Sequence, residues 1–485
     1  MNYTIVQKVI GKLLLAYALT MIIPLGIGVF YQEKTLVPFL ISIGLTTLGG
    51  SLLLFQSRRN RNEKLGIRDS FVIVAGAWII TSIFGALPFW LADSVPTYID
   101  ALFESVSGLT TTGSSVIENI ETLPYSILFW RSLNQWLGGM GIIVLFIILL
   151  PNTGFGAVQL YNAEVSGPLS KRVMPKVRDT ASAIWKIYGL LTLILIGFLF
   201  GAGMKPFDAI VHGFSTISTG GFSTQNNSVM AFGSFSIEMI IVGFIIIAGG
   251  NFRIYLESWN KKTLKPFKNT EFIVYLGVIF IGTLAVFLLS LFNPQDLGVS
   301  LRQSLFQVTS LLTGTGYASA NYDLWPSASK IILFFLMFVG GCAGSTTGGI
   351  KISRMILLLK ISWSVLKRGI HPNIVDTIKL DGKVVDSVAI NLVSIFFFLY
   401  IFIFGLGTIL LASTGLEPFE AMSAVVASLS NVGPGFEGVG PLSNYGEISL
   451  FGKSVIILCM LLGRLELFTL LILLRPEFWK PKKGW

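Results

Sequence analysis

Four segments of the chain place a glycine at the same distance from a polar residue. They begin at Asp100, Asp208, Gln303 and Glu420 and read DALFESVSGLTTTGSS, DAIVHGFSTISTGGFS, QSLFQVTSLLTGTGYA and EAMSAVVASLSNVGPG. Thirteen residues after each polar residue stands a glycine: Gly113, Gly221, Gly316 and Gly433. The separations between these glycines are 108, 95 and 117 residues. Four copies in one register indicate an internal repeat.

Each copy is too apolar for an ordinary loop and too short to span a membrane. It predicts a helix of about 11 residues and then an extended glycine-containing stretch, which together form a re-entrant segment. The carbonyl oxygens of such a stretch can replace the hydration shell of a cation, and the negative end of the helix dipole favours a cation nearby. Glycine tolerates positive φ and lets four backbones converge on one axis. Thr111, Thr112, Thr219 and Thr315 add hydroxyls near the same level.

The composition indicates a membrane protein. Of the 485 residues 53% are hydrophobic and 12% charged, against about 25% charged in soluble proteins, and the mean hydropathy is +0.75. This balance excludes a water-soluble enzyme and most nucleic-acid-binding modules, so membrane lipid is an expected partner and nucleic acid is not. Ten segments are predicted to span the membrane, the eighth interrupted in its middle: 9–31, 36–56, 71–92, 126–150, 184–204, 235–256, 271–292, 328–366, 389–412 and 451–474.

The basic residues predict the orientation. They cluster near 58–68, 171–178, 261–268, 367–383 and 480–483, and all five clusters lie on one side of the ten-span arrangement. The positive-inside rule makes that side, with both termini, cytoplasmic. Carboxylates on the opposite side solvate loops and would also concentrate cations. Cys342 and Cys459 both lie in apolar segments, so they predict neither a disulfide framework nor a metal cluster.

Two spans flank each re-entrant segment, so all four repeats enter the membrane in the same direction. Parallel copies close around an axis normal to the membrane, unlike the inverted repeats of many transporters. We therefore predict an all-α polytopic membrane protein with four parallel helix–pore loop–helix repeats around a pseudo-fourfold central pore, plus an N-terminal helix pair. The predicted boundaries are 1–68 for the helix pair and 69–180, 181–268, 269–383 and 384–485 for repeats 1 to 4.

The inner helices, which follow the re-entrant segments, carry candidate gating residues. Arg464 is costly at membrane depth and is expected below the glycines, where its charge opposes a permeating cation and where Glu466 could hold it; the alternative is an arginine that snorkels to the surface. Residues 340–349, the glycine-rich loop, contain five glycines. Each glycine costs a helix about 1 kcal/mol relative to alanine, which favours a loop that lines the pore cavity over a continuous helix. A flexible kink that serves only packing is the other interpretation.

These features resemble a known family. The four glycine segments, the N-terminal helix pair and the sequence Gly463-Arg464-Leu465-Glu466 are similar to the Trk/Ktr/HKT superfamily of potassium transporters, and most similar to its bacterial TrkH-type potassium uptake subunits. The resemblance implies a K⁺ selectivity filter made of Thr111, Thr112, Gly113, Thr219, Gly220, Gly221, Thr315, Gly316, Asn431, Val432 and Gly433. It also implies an intramembrane gate made of Gly340, Gly341, Cys342, Ala343, Gly344, Ser345, Thr346, Thr347, Gly348 and Gly349, with Arg464 beside it. Sodium-selective plant members have serine at the first glycine, so Gly113 favours potassium.

The leading hypothesis is potassium uptake through a channel-like pore in the bacterial cytoplasmic (inner) membrane, with K⁺ as the transported ion and no cofactor in this chain. The alternative is a Na⁺- or H⁺-coupled symporter, for which Glu104 is the nearest candidate carboxylate. A membrane-embedded enzyme is the third possibility, but two histidines and the lack of a Walker A motif offer no catalytic site. The resemblance further implies a homodimer and a cytosolic nucleotide-binding regulatory subunit of the TrkA type.

Overall fold

The computed structural model describes residues 1–57, 66–141, 177–291, 301–374 and 377–480. Regular structure in these residues is helical apart from one two-stranded hairpin. The chain begins with three helices: α1 (Tyr3–Thr20), α2 (Ile22–Phe30) and α3 (Leu36–Gln56). The first two make one membrane-length element of 28 residues, which packs against α3. This is the predicted N-terminal helix pair.

Repeats 1 and 2 each contain an outer helix, a pore helix and an inner helix. Those of repeat 1 are α4 (Ile67–Leu91), α5 (Tyr98–Leu109) and α6 (Tyr125–Gly139). Those of repeat 2 are α7 (Val177–Gly201), α8 (Pro206–Ile217) and α9 (Phe235–Ala248), which continues as α10 (Phe252–Lys261) after a bend of 85°.

Repeats 3 and 4 follow the same order. Repeat 3 consists of α11 (Thr270–Leu291), α12 (Leu301–Leu312), α13 (Ser327–Phe338) and α14 (Ile352–Ile370), after which come the hairpin strands β1 (Lys379–Leu380) and β2 (Lys383–Val384). Repeat 4 consists of α15 (Ser387–Ala412), α16 (Pro418–Leu429), α17 (Leu450–Arg464) and α18 (Phe468–Leu471), and the described chain ends after α19 (Pro476–Trp479). Each of the four pore helices has twelve residues.

The inner helices differ from the prediction. An interruption was expected only in the third, where it is present between Phe338 and Ile352. The continuous spans predicted at 235–256 and 451–474 are wrong, because the first bends by 85° and the second by 108°. In repeat 2 Asn251, which follows two glycines, has an extended backbone, and in repeat 4 Glu466 and Leu467 adopt positive φ. These conformations interrupt both helices. In the predicted span 126–150 the helix ends at Gly139, and residues 142–150 lie outside the described residues.

Burial follows the pattern expected in lipid rather than in water. Large apolar side chains on the outer helices are exposed, among them Leu193, Phe280 and Phe398, each about 70% accessible. The pore helices are the opposite, since every residue of α5 from Asp100 to Leu109 except Leu102 is buried, polar ones included. The four pore helices therefore lie inside the protein, and the outer helices separate them from the surroundings.

The inner helices approach the pore helices closely at glycines. A β-carbon at Gly138 would lie 1.8 Å from the carbonyl oxygen of Leu109, the last residue of α5. A β-carbon at Gly463 would lie 2.1 Å from the carbonyl oxygen of Leu429, which ends α16. Both contacts join the inner helix to the end of the pore helix in its own repeat. Only glycine fits at either position without backbone movement.

Replacement of Gly138 by alanine should therefore destabilise the protein by about 1–3 kcal/mol, because the methyl group overlaps a backbone oxygen that no side-chain rotation can move. The apparent Tm of purified protein in detergent measures the effect. Gly197→Ala is the matched control, since Gly197 lies inside α7 with no atom within 4 Å of the new methyl group. Equal Tm values for the two variants would contradict the close packing of α6 on α5.

Candidate functional site

Each pore helix ends in the same hydrogen-bonded turn, a Schellman motif. In α5 the N–H of Thr112 donates to the Ser107 carbonyl over 2.8 Å, and the N–H of Thr111 donates to that of Gly108 over 3.0 Å. The same pair of bonds, five and three residues back, closes α8, α12 and α16 with first-bond lengths of 2.8, 2.8 and 2.7 Å. The residues after the four helices, 110–113, 218–221, 313–316 and 430–433, are called the pore loops.

The four pore loops share one backbone conformation. The second residue of each has positive φ, at Thr111 (57°), Thr219 (54°), Gly314 (68°) and Asn431 (55°). The fourth residue is the aligned glycine, also with positive φ, at Gly113 (88°), Gly221 (75°), Gly316 (74°) and Gly433 (102°). The glycines that align in the sequence therefore also share one backbone conformation. The second position was missed because threonine, glycine and asparagine share no obvious signal there, although asparagine and glycine favour positive φ.

The pore loops form a closed ring. A β-carbon at Gly113 would lie 2.2 Å from the carbonyl oxygen of Gly220 in the next repeat. The series continues from Gly221 to the Thr315 oxygen (1.8 Å), from Gly316 to the Val432 oxygen (2.0 Å) and from Gly433 back to the Thr112 oxygen (2.6 Å). In every case the glycine faces the carbonyl just before the next glycine. The ring brings all the predicted filter residues together around one axis.

Several carbonyl oxygens of this ring lack a donor. Among the hydrogen bonds of the described residues, the carbonyls of Thr112, Thr315 and Val432 accept none, although the three residues are buried. The carbonyl of Gly433 differs, since it accepts from the hydroxyls of Ser114 (2.9 Å) and Tyr445 (2.8 Å). A buried carbonyl without a protein donor requires water or a cation as its partner. The ring therefore offers oxygen ligands of the kind that a cation binds.

Side chains hold the pore loops to one another and to their surroundings. Gln135 of α6 donates to the Gly220 carbonyl (2.6 Å) and accepts from the N–H of Phe222 (3.1 Å). The Asn431 amide donates to the Thr112 hydroxyl (2.9 Å) and so joins the first and fourth loops. The hydroxyls of Thr313 and Thr315 lie 2.8 Å apart. The predicted hydroxyls thus support the loops laterally.

A buried ion pair lies behind the first two pore loops. Arg131 Nη2 is 3.4 Å from Glu104 Oε1, and both side chains are at most 2% exposed. Arg131 also donates to the Ser223 carbonyl (3.3 Å) and lies 4.0 Å above the ring of Phe222, while Glu104 accepts from Ser115. The pair therefore connects the residues that follow the first loop to those that follow the second. Sequence analysis singled out Glu104 but missed Arg131. The rule that was applied to Arg464, that charged residues at membrane depth are usually functional, would also have identified Arg131.

The glycine-rich loop crosses beneath the pore loops. The Thr346 hydroxyl contacts the carbonyls of Ala248 (3.3 Å) and Ile217 (3.4 Å), and the N–H of Cys342 donates to the Gly249 carbonyl (2.8 Å). A β-carbon at Gly348 would lie 2.1 Å from the Ser430 carbonyl oxygen. The loop is thereby held between repeats 2 and 4, at the level where the pore helices end.

Arg464 lies at the same level. Its Nη1 donates to the Thr111 hydroxyl (3.1 Å) and to the Thr346 carbonyl (2.9 Å), and its Nη2 donates to the carbonyl of Gly139 (3.0 Å). The guanidinium also lies 5.6 Å from the ring centroid of Trp78. Arg464 therefore joins a pore loop, the glycine-rich loop and the C-terminal end of α6, and its side chain points inward rather than to the surface.

Further charges beneath the pore loops were missed by sequence analysis. Lys351 is 6% exposed, and its amine contacts the carbonyl of Thr347 and, over 3.1 Å, the Thr347 hydroxyl. Glu466, expected to hold Arg464, contacts Arg354. Within the described ranges no group of three or more His, Cys, Asp and Glu side chains is placed to hold a metal ion. The oxygen atoms of the pore loops are therefore the candidate ligands for a cation.

The chain was compared with known proteins. A family model described as "TrkH: Cation transport protein" matches residues 38–480. The Trk system potassium uptake protein TrkH of Vibrio parahaemolyticus is 39% identical over 99% of this chain and 100% of its own length. The Trk system potassium uptake protein TrkG of Escherichia coli is 34% identical over 98% of both chains. The crystal structure of the potassium transporter TrkH from Vibrio parahaemolyticus matches with a TM-score of 0.87 and 37% identity over 99% of this chain and 100% of that one.

The repeat architecture and the family match agree over nearly the whole length. The chain belongs to the TrkH family of cation transport proteins.

Proposed function

We propose that the protein takes up potassium through a single central pore in which the four pore loops act as a selectivity filter. The observation that carries the proposal is the closed ring of pore loops with buried carbonyl oxygens that lack a donor. Carbonyl dipoles in such a ring replace the water around a dehydrated cation. The potassium uptake named for full-length relatives in other bacteria supports K⁺ as the ion.

The glycine-rich loop and Arg464 are proposed to form the gate. Their contacts support this role, because Thr346 and Arg464 contact each other and each also contacts a pore loop. A cation about 6 Å from Arg464 would experience a repulsion of roughly 3 kcal/mol at an effective dielectric constant of 20. That barrier slows passage about a hundredfold, and the loop adds steric closure. Displacement of the loop from Arg464 would open the way.

A coupled symporter needs a second ion site, and the described residues give it little support. Glu104 was the nearest candidate carboxylate, but it is paired with Arg131 and accepts from Ser115. A carboxylate held in this way serves the pore loops rather than a second cation. We therefore favour passive movement of K⁺ down its electrochemical gradient.

The surroundings of the pore complete the proposal. We propose that the face carrying Lys261, Lys262, Lys265, Lys268, Lys379 and Lys383 is cytoplasmic, because positively charged loops are retained on that side. The protein then lies in the bacterial cytoplasmic membrane with both termini inside. We also propose a homodimer and a cytosolic nucleotide-binding subunit of the TrkA type, which would dock on the same basic face. Contacts between that face and the glycine-rich loop would transmit the conformational state of the regulatory subunit to the pore.

Purified protein in liposomes should conduct K⁺ down its gradient, and neither a Na⁺ nor a pH gradient should drive K⁺ uphill. Addition of ATP or NADH to the isolated subunit should leave the flux unchanged, since the proposal assigns nucleotide binding to another chain. Ion-selective electrodes with K⁺, Na⁺, Rb⁺ and Li⁺ outside measure all of these quantities. Accumulation of K⁺ against its gradient on imposing a Na⁺ or pH gradient would instead establish coupling.

Gly113→Ser should lower the K⁺/Na⁺ permeability ratio about tenfold, a change of about 1.4 kcal/mol. The new side chain overlaps the Gly220 carbonyl and must adopt a φ of +88°, so the ring widens or twists. Relative permeabilities from liposome flux measure the ratio. Gly203→Ser is the control, because Gly203 also has positive φ (95°) but has no atom within 4 Å of the added carbon. An equal effect of the two substitutions would remove Gly113 from the filter.

Arg464→Ala should raise basal K⁺ flux by up to about a hundredfold. Deletion of Gly344 and Ser345 at the accessible tip of the glycine-rich loop should raise it as well. Selectivity should survive, because Thr111 loses one side-chain bond while its backbone bond to Gly108 remains. Arg475→Ala serves as the control, since Arg475 is exposed near the C-terminus. Folded variants that conduct no faster than the parent protein would move the gate elsewhere.

A further inference from the structure

A carboxylate on an outer helix contacts both the glycine-rich loop and the helix that follows it. Glu271 is the second residue of α11 and is 7% exposed. Its Oε1 accepts from the N–H of Ala343 over 2.7 Å and from the N–H of Ser353 over 3.1 Å. Ala343 lies in the first half of the loop, and Ser353 lies in the first turn of α14, which begins at Ile352 after a short link from Gly349. One oxygen atom therefore holds the first half of the loop to the start of α14.

The chemistry of this contact makes it stronger than an ordinary turn. Hydrogen bonds from backbone N–H groups to a carboxylate are about twice as strong as neutral ones. The N–H of Ser353 also belongs to the positive end of the α14 dipole, which favours a negative group at that place. Other contacts of the loop join neutral backbone groups, such as that of Cys342 with Gly249, or come from the cationic side chains of Lys351 and Arg464. Glu271 thus contributes a charged attachment from outside the inner helices.

The attachment continues to the surface. Asp381, in the turn of the β1–β2 hairpin, accepts from the N–H of Thr270 (2.9 Å) and from the side-chain amide of Asn269 (2.8 Å). Asn269 in turn accepts from the N–H of Glu271 (2.9 Å). Leu380 anchors the hairpin to the protein interior, because its side chain is 3% exposed and packs in the same apolar cluster as Cys342. An unbroken series of hydrogen bonds therefore runs from an exposed hairpin to the glycine-rich loop.

We infer that Glu271 is a positioning residue that holds the glycine-rich loop beneath the pore loops, and that Asp381 ties this attachment to the hairpin on the basic face. The inference rests on the proposed gating function of the loop. Loss of the Glu271 carboxylate frees the loop from the start of α14 and from α11 at once. Loss of Asp381 leaves Glu271 in place but removes the acceptor for the Thr270 N–H and for the Asn269 amide at the start of α11, so the effect is smaller.

The natural thiol of Cys342 reports the position of the loop directly. Cys342 is fully buried and precedes Ala343, so it reacts with a maleimide only when the loop moves away. The second cysteine, Cys459, is replaced by serine in every variant so that the reagent reports one site. Full-length protein in liposomes is used, and the rates of labelling and of K⁺ flux are measured on the same preparation.

Glu271→Ala should raise the rate of Cys342 labelling about tenfold, and Asp381→Ala about threefold. Glu271→Gln should label at a rate between those of the parent and Glu271→Ala, because its amide oxygen still accepts both bonds but lacks the charge that strengthens them. Glu257→Ala is the matched control. Glu257 is a carboxylate of α10 on the basic face, and it pairs with Arg253 (3.1 Å) and Lys261 (3.5 Å) rather than with the glycine-rich loop. It should label at the parental rate.

Unchanged labelling in folded Glu271→Ala protein overturns the inference. If that variant does not fold, parental labelling in Asp381→Ala overturns the link to the hairpin, and threefold faster labelling supports it. Faster labelling together with faster flux supports both the inference and the gate. Faster labelling with unchanged flux supports Glu271 as the positioning residue and contradicts the glycine-rich loop as the gate, so the two failures are distinguishable.

Discussion

Backbone polar groups at membrane depth must be paired within the protein or face a cavity that holds water or ions, and this constraint governs the whole structure. The outer helices satisfy it by continuous helical hydrogen bonding. The pore loops satisfy part of it through Schellman turns and leave the carbonyls of Thr112, Thr315 and Val432 without a donor. Only a ring closed by four repeats can keep such groups away from lipid. The surrounding helices make that ring possible by excluding lipid from it.

Glycine allows the elements of this ring to approach closely. The aligned glycines lie where a β-carbon would overlap the carbonyl of the next repeat, and Gly138 and Gly463 lie where it would overlap the end of a pore helix. These contacts leave almost no room between backbones. These close contacts determine the size of the ring, because any side chain at Gly113 must push the second repeat outward. The proposed selectivity and the packing of the repeats would therefore depend on the same atoms.

Two of the groups of buried charges lie next to the ring. Glu104 and Arg131 neutralise each other behind the first two pore loops and join the segments that follow them. Arg464 lies beneath the ring, bonded to a carbonyl at the C-terminal end of α6 and to a carbonyl of the glycine-rich loop. The first arrangement stabilises a fixed shape, since both partners are enclosed. The second places positive charge beneath the ring, in contact with the glycine-rich loop that is proposed to move.

The sequence by itself determined the membrane class, the four repeats, the pore helices and the interruption at 340–349, because hydropathy and the register of Gly113, Gly221, Gly316 and Gly433 are local patterns. It also predicted the level of Arg464, because distance along a helix is fixed by its rise per residue. The bends of the second and fourth inner helices, the pairing of Glu104 with Arg131 and the reach of Glu271 to Ala343 were decided only by the tertiary structure. These features depend on which side chains meet across elements distant in the chain, and no periodicity in the sequence records such meetings.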